Sequence, residues 1–347
     1  MLKIGIYILF YFGFLALIII GIGIRKEKKT TLLNKDESNY LKGVAALMVF
    51  LAHSQSFLAL NDQSDFLLKP FSALGGVGVL LFFFLSGYGI YKGYSEKNPS
   101  IKFWKNRILR VLIPALIISI SFSLVIELIN DDKLKFSRLI IDSLSTQWYV
   151  DVVMIEYLVF FITWYLVFKS KRILLILSFL GSALVGFVFW KLGFNPRWYN
   201  GLMLFPTGML FGFIEPQIVS SGKSIRIIVM FFSLLAFAGT GLGFSVIKGN
   251  LFADFLKTFS GILLATFFVM LISFLKVGNK AIYWVGERSL YIYLVHLNLL
   301  NIFKITIAKG LFSKKPELYI FILLLGTLII TEGIYFLMTK GLKRKKN

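Results

Sequence analysis

Apolar residues run through this chain in long blocks, cut by short basic or polar stretches. The blocks fall at roughly 4–24, 41–60, 76–94, 108–129, 148–168, 173–191, 201–214, 225–247, 251–275, 284–307 and 317–339. Most match the ~20 residues a helix needs to cross a hydrocarbon core about 30 Å thick. A bilayer offers the backbone no hydrogen bonds, so the blocks are expected to be helices, and no two-residue alternation points to a barrel. The pattern predicts an all-α, polytopic membrane helix bundle of about 11 transmembrane helices. The block at 201–214 is short and holds Pro206, which predicts a broken or tilted span. The block at 4–24 is too long for a signal-peptide core and lacks a small-residue cleavage site, so it is expected to be retained.

Composition adds exclusions. Hydrophobic residues make up 57% of the 347, and charged residues only 16%, against about 25% in soluble domains. The absence of cysteine rules out disulfides and thiolate metal sites. With His53 and His296 as the only histidines, a histidine-rich metal site is not expected.

The net charge of +21 would suit nucleic acid, but its distribution does not. Of the 38 basic residues, 25 fall on one side of the predicted spans and 11 on the other. The richer side is expected to be cytoplasmic. That predicts a multi-pass membrane protein with its N-terminus outside and its C-terminus inside, and the bilayer, not nucleic acid, as partner of the positive charge. The segment RKEKKTTLLNKDESN reads as a polar cytoplasmic linker. It sets off residues 1–37, one span and a basic linker, from a ten-span unit over 38–347. No repeat suggests the inverted halves of many transporters.

Candidate chemistry lies along one route. Lys42 and His53 are eleven residues apart, close to three helical turns, so they share a helix face about 16 Å apart along its axis. Lys42 at an interface puts His53 near the midplane, where an ionisable group marks a functional site. Each also has a plainer role, Lys42 as a snorkelling anchor and His53 as a helix-packing group. Arg107 and Arg110 are three apart, hence neighbours on a helix surface, and their guanidinium forks suit phosphates. They equally suit positive-inside anchoring. Ser86, Gly87 and Tyr88 sit deep in their span: two hydroxyls, and a glycine that either packs helices or leaves room for a thin acyl chain. Glu156 is near mid-depth, placed either to share a proton with His53 or to join a structural ion pair. Trp148 and Tyr149 fit an outer aromatic belt. His296 and Tyr293 lie three apart in the 284–307 block, His296 read as structural, and Asp254 with Lys257 reads as a local ion pair.

These segments together resemble the acyltransferase-3 family of integral membrane O-acyltransferases, from about residue 38 to 340. Its arginine-x10-histidine motif appears as Lys42-x10-His53, its Arg-x-x-Arg motif as RILR at 107–110, and its Ser-Gly-Phe/Tyr segment as SGYGIY at 86–91. WVGERSLYIYLVH is similar to its late Gly-x-x-Ser-Tyr-x-x-Tyr-Leu-x-His pattern. The resemblance implies a ten-span core plus one N-terminal span, with acetyl-CoA entering from the cytoplasm. It implies acetyl transfer to a hydroxyl of a cell-surface polysaccharide or its lipid-linked precursor, in a bacterial membrane. His53 would be the catalytic base, with Glu156 beside it. Lys42, Arg107, Arg110, Ser86 and Tyr88 would hold the donor. Homo-oligomerisation is left open. Three departures stand out. Lysine replaces arginine at 42, so the bidentate fork is lost. The Trp148 segment lacks the family's Trp-Ser-Leu-x-x-Glu-Glu form. The chain also ends after the last span without the hydrolase-like domain fused to some members, so it is expected to complete transfer itself or with a separate partner. The rival reading is a transporter or flippase for a lipid-linked sugar or small anion, which would need neither the Lys42–His53 spacing nor the arginine pair.

Overall fold

A computed structural model of the chain describes residues 12–26, 29–60, 71–72, 74–129, 147–167, 169–246, 251–305 and 316–344. The first half of the expected 4–24 span and the segments 61–70 and 130–146 lie outside the described residues. Thirteen helices are described. α1 covers 12–19, α2 is Lys35–Leu60, α3 is Leu74–Tyr94 and α4 is Lys102–Ile129. α5 is Trp148–Val167, α6 Lys171–Lys191, α7 Leu204–Phe213 and α8 Glu215–Ser220. α9 is Lys223–Val246, α10 Leu251–Phe274, α11 Lys280–Glu287, α12 Ser289–Ile305 and α13 Pro316–Arg344. Seven of these are long and apolar enough to cross a membrane. Their outer faces carry bare aliphatic and aromatic side chains such as Ile176, Leu184, Phe232 and Leu337, the pattern of a surface solvated by lipid.

Two of the expected spans end in strands. Gly21, with φ +81°, ends the helical stretch after α1, as glycine does at helix C-termini. Ile22–Ile24 (β1) then pairs antiparallel with Leu275–Val277 (β2), Gly23 opposite Lys276. The expected helix over 4–24 is therefore shorter than its apolar block.

The supposed polar linker is tucked into the protein. Leu32 and Leu33 are buried, and Glu37 is 1% exposed. Glu37 pairs with Arg25 and, at 3.0 Å, with Lys29. Burial holds the Lys29 ammonium below its ordinary pKa, an effect that Glu37 partly offsets. Asn34 and Glu37 also cap α2 reciprocally: each side chain accepts the other's backbone N–H, at 2.8 and 2.9 Å. α2 therefore starts at Lys35, six residues before its apolar block.

Glycines set the tightest helix contacts. A Cβ on Gly87 (α3) would stand 1.9 Å from the Phe205 carbonyl oxygen of α7, and one on Gly208 (α7) 2.0 Å from that of Phe84. The two backbones thus fill each other's missing side-chain space. Gly87 serves packing and leaves no gap for an acyl chain. Gly286 (α11) lies against α2 in the same way, 1.8 Å from the Asn39 oxygen by the same measure.

The block at 284–307 is two helices meeting at Arg288. The Arg288 guanidinium lies between the rings of Trp284 and Tyr335, at 4.4 and 4.2 Å. It also donates two hydrogen bonds to Glu332, which pins the break to α13.

Candidate active site

α4 carries the Arg-x-x-Arg segment through a π turn at Ile108–Leu112. Pro114 has no N–H to offer the Arg110 carbonyl, and the Ile113 N–H reaches back five residues to Ile108. The wider turn sends the two arginines to different neighbours, unlike the side-by-side pair expected of a regular helix. The Arg107 guanidinium lies over the rings of Tyr157, Phe103 and Tyr94, at 5.2, 5.6 and 5.8 Å. Arg110 points to a cavity and is exposed at its mouth.

That cavity, of about 380 Å³, is lined by Lys42, Ser86, Arg110, Tyr149, Tyr157 and Tyr293 among others. Three helices remote in sequence (α2, α3 and α4) thus bring Lys42, Ser86 and Arg110 to one space. Among the described ion pairs, none engages Lys42, Arg107 or Arg110. The Arg107 Nε is buried without a hydrogen-bond partner among the described residues, while its guanidinium bonds the Tyr94 and Tyr157 hydroxyls and is close enough to Lys42 for mutual repulsion. Of the three basic residues, Lys42 and Arg110 line the cavity; the carboxylate that shares it, Glu287, is paired with Arg288, so the two cations favour an anionic occupant.

Tyr149 does not sit in an outer belt. It is buried against Phe83 and Tyr293, with ring centroids 4.9 and 5.3 Å away. Its signal was in the sequence: Tyr149, Val153 and Tyr157 recur every four residues and form one cavity wall of α5. The α11–α12 break adds Gly286, Glu287, Ser289 and Tyr293 to the lining.

From Tyr293 the aromatic contacts continue inward. The Tyr293 and His296 centroids are 5.9 Å apart, and those of His296 and His53 are 5.4 Å apart. His296 is completely buried and His53 half-buried. Neither histidine lines the cavity itself; they stand behind its Tyr293 wall.

Two candidates face elsewhere. The Tyr88 hydroxyl donates to Glu215 at 2.5 Å and accepts the Leu33 N–H at 3.2 Å. Lys92 completes that cluster with an ion pair to Glu215 at 3.2 Å. Tyr88 therefore ties α3 to α8 and to the segment before α2, while its neighbour Ser86 reaches the cavity. Glu156 is fully buried and accepts a 2.7 Å hydrogen bond from Ser182 of α6, and its Oε1 has no partner among the described residues. Ser182 borders a separate, larger and mostly apolar cavity of about 1070 Å³ between α6, the 199–203 segment and α10, so Glu156 looks to that side of α5. Asp254 and Lys257 form the expected local pair at 3.4 Å, and Asp254 also accepts from Tyr199 and Asn200. Among the described residues, no three His, Asp or Glu side chains converge as metal ligands.

No curated protein and no solved structure matches the chain. A family model described as an acyltransferase domain matches residues 35–335, which takes in Lys42, His53, both arginines and the α11–α12 break. The chain is therefore a multi-pass membrane protein that belongs to the acyltransferase-3 family.

Proposed function

We propose that this acyltransferase moves an acetyl group from cytoplasmic acetyl-CoA to a hydroxyl of a cell-surface polysaccharide or its lipid-linked precursor, in the cytoplasmic membrane of a bacterium. The observation that carries the reading is the cavity. Lys42 and Arg110 line it without ion-pair partners among the described residues, and Tyr293 of its wall contacts His296, which contacts His53. At about 380 Å³ it is at the small end for a ligand site. It suits the slender acyl-pantetheine end of the donor, with the nucleotide and its phosphates at the exposed Arg110 mouth. The basic asymmetry of the loops supports a cytoplasmic mouth, with the N-terminus outside and the C-terminus inside.

In this mechanism the acceptor hydroxyl gives its proton to His53 as its oxygen attacks the thioester carbonyl. The C–O bond forms and the C–S bond breaks. The departing thiolate takes the proton from the His53 imidazolium, leaving an ester, free CoA thiol and a neutral imidazole. Ser86 borders the cavity, but its recorded partner is the Tyr149 hydroxyl rather than a base, which favours direct transfer over an acyl-serine.

The test is purified protein with radiolabelled acetyl-CoA and a bacterial glycolipid extract. Label should pass to the glycolipid with equimolar thiol release, and His53→Ala should abolish both while CoA binding persists. A wild-type protein that binds the glycolipid but releases no thiol sinks the reading in favour of transport.

A further inference from the structure

The base assigned to His53 needs something to fix which ring nitrogen carries its proton. Glu156, the expected partner, is bonded to Ser182 instead. Among the described residues a second imidazole, His296, lies beside His53, with centroids 5.4 Å apart and planes tilted by 47°.

The protonation of His296 follows from its bonds. Its Nδ1 lies 2.8 Å from the Ile292 carbonyl oxygen. A carbonyl only accepts, so Nδ1 carries the hydrogen. In the neutral ring Nε2 is then a bare acceptor. That nitrogen is buried, without a hydrogen-bond partner among the described residues, in a side chain 0% exposed. Because Nδ1 is turned back to its own helix, Nε2 points away from it. The rings around it are Phe50, Tyr293 and His53. Phe50 has no proton to give; Tyr293, three residues back on the same helix, has a buried hydroxyl without a partner among the described residues, and His53 is the polar ring that approaches from another element.

We propose that His296 is the positioning residue of His53. Its Nε2 accepts the N–H of the His53 ring, which rotation about the second side-chain torsion brings to the ~3 Å of a hydrogen bond, or does so through one water. This holds His53 in one tautomer, so that the same nitrogen takes the acceptor's proton in each turnover, and steadies the imidazolium while the C–S bond breaks. His296 touches neither donor nor acceptor. The inference rests on the acyl-transfer reading for its role, but not for its geometry.

The chain's two histidines make the test direct. Full-length protein labelled with 15N-histidine gives two imidazole spin systems. The wild type should show His296 with a protonated Nδ1 and His53 in a single tautomer; an even tautomer mixture at His53 overturns the proposal. His296→Asn keeps a donor for Ile292 but places nothing at Nε2, whereas His296→Gln places an amide oxygen near it. His296→Asn should lower kcat about 100-fold, within the range of general base catalysis, with the acetyl-CoA KM unchanged and the His53 tautomer mixed. His296→Gln should recover part of kcat and the single tautomer. Equal kcat in the two variants, or a His53 spectrum indifferent to His296→Asn, overturns the assignment. If the wild type releases no thiol from acetyl-CoA yet the His53 tautomer still depends on residue 296, the acetyl-transfer reading fails while the pair stands.

Discussion

Removing Arg107 and Arg110 one at a time should separate a donor contact from a packing one. A charge-assisted hydrogen bond to phosphate contributes about 1.5–3 kcal/mol, and each 1.4 kcal/mol is tenfold in affinity. Arg110 is exposed at the cavity mouth, where water screens its charge. Arg110→Ala should therefore sit at the low end, with the acetyl-CoA KM raised about tenfold. Arg107 does not line the cavity and is held over three aromatic faces, with a buried Nε that has no partner among the described residues. Arg107→Ala should therefore raise the acetyl-CoA KM less than Arg110→Ala does, and should lower thermal stability because three cation–π contacts go with it. Arg107→Lys restores the charge but not the planar stack, so it should recover only part of that stability. The assay is thiol release, read with a chromogenic thiol reagent, and a chain without cysteine adds no background. The control donor is acetyl-pantetheine, which has no phosphates. On it, both alanine variants should match the wild-type KM within about twofold if the contacts are to phosphate. Equal KM increases on both donors would show that the arginines only shape the bundle, and would refute the phosphate argument.

Three further outcomes follow from the fold and the charge pattern. Glu37→Ala leaves the Lys29 ammonium buried without its carboxylate and should destabilise the protein by about 3–5 kcal/mol, seen as a lower Tm in detergent; an unchanged Tm would remove this cluster from the account. Gly87→Ala drives a methyl into the Phe205 carbonyl and should cost about 1–3 kcal/mol, whereas Gly89→Ala, with nothing within 4 Å of its Cβ, should be neutral or stabilising; equal effects would contradict the helix contact described. A cysteine replacing Ser100 should be shielded from an impermeant thiol reagent in intact cells and one replacing Arg197 should react; the reverse pattern would turn the basic cavity mouth outward, away from acetyl-CoA.

What could be read from the chain before its structure was whatever depends on local contrast. The blocks at 148–168 and 173–191 became Trp148–Val167 and Lys171–Lys191, because the change from polar to apolar residues marks the membrane boundary. Lys42 and His53 were linked by spacing on a single helix. The rest depends on partners remote in sequence. The break at Arg288 is held by Glu332, 44 residues on, and β1 pairs with a strand some 250 residues away. The burial of Glu37 depends on the fold around it, so a run of charges there read as a solvated linker. The π turn was legible in part, since Pro114 marks the missing bond. The contact between His53 and His296 crosses two helices, and no pattern within either announces it. Tyr88 misled for the converse reason: its local motif suited a ligand, while its hydroxyl belongs to Glu215.

The most direct measurement is an experimental structure of the protein with CoA bound. The account predicts the nucleotide phosphates about 3 Å from the Arg110 guanidinium and the Lys42 ammonium, the distance of charge-assisted bonds, with the thiol end past Tyr293 toward His53. CoA bound elsewhere, or with its thiol directed away from the two histidines, would contradict it.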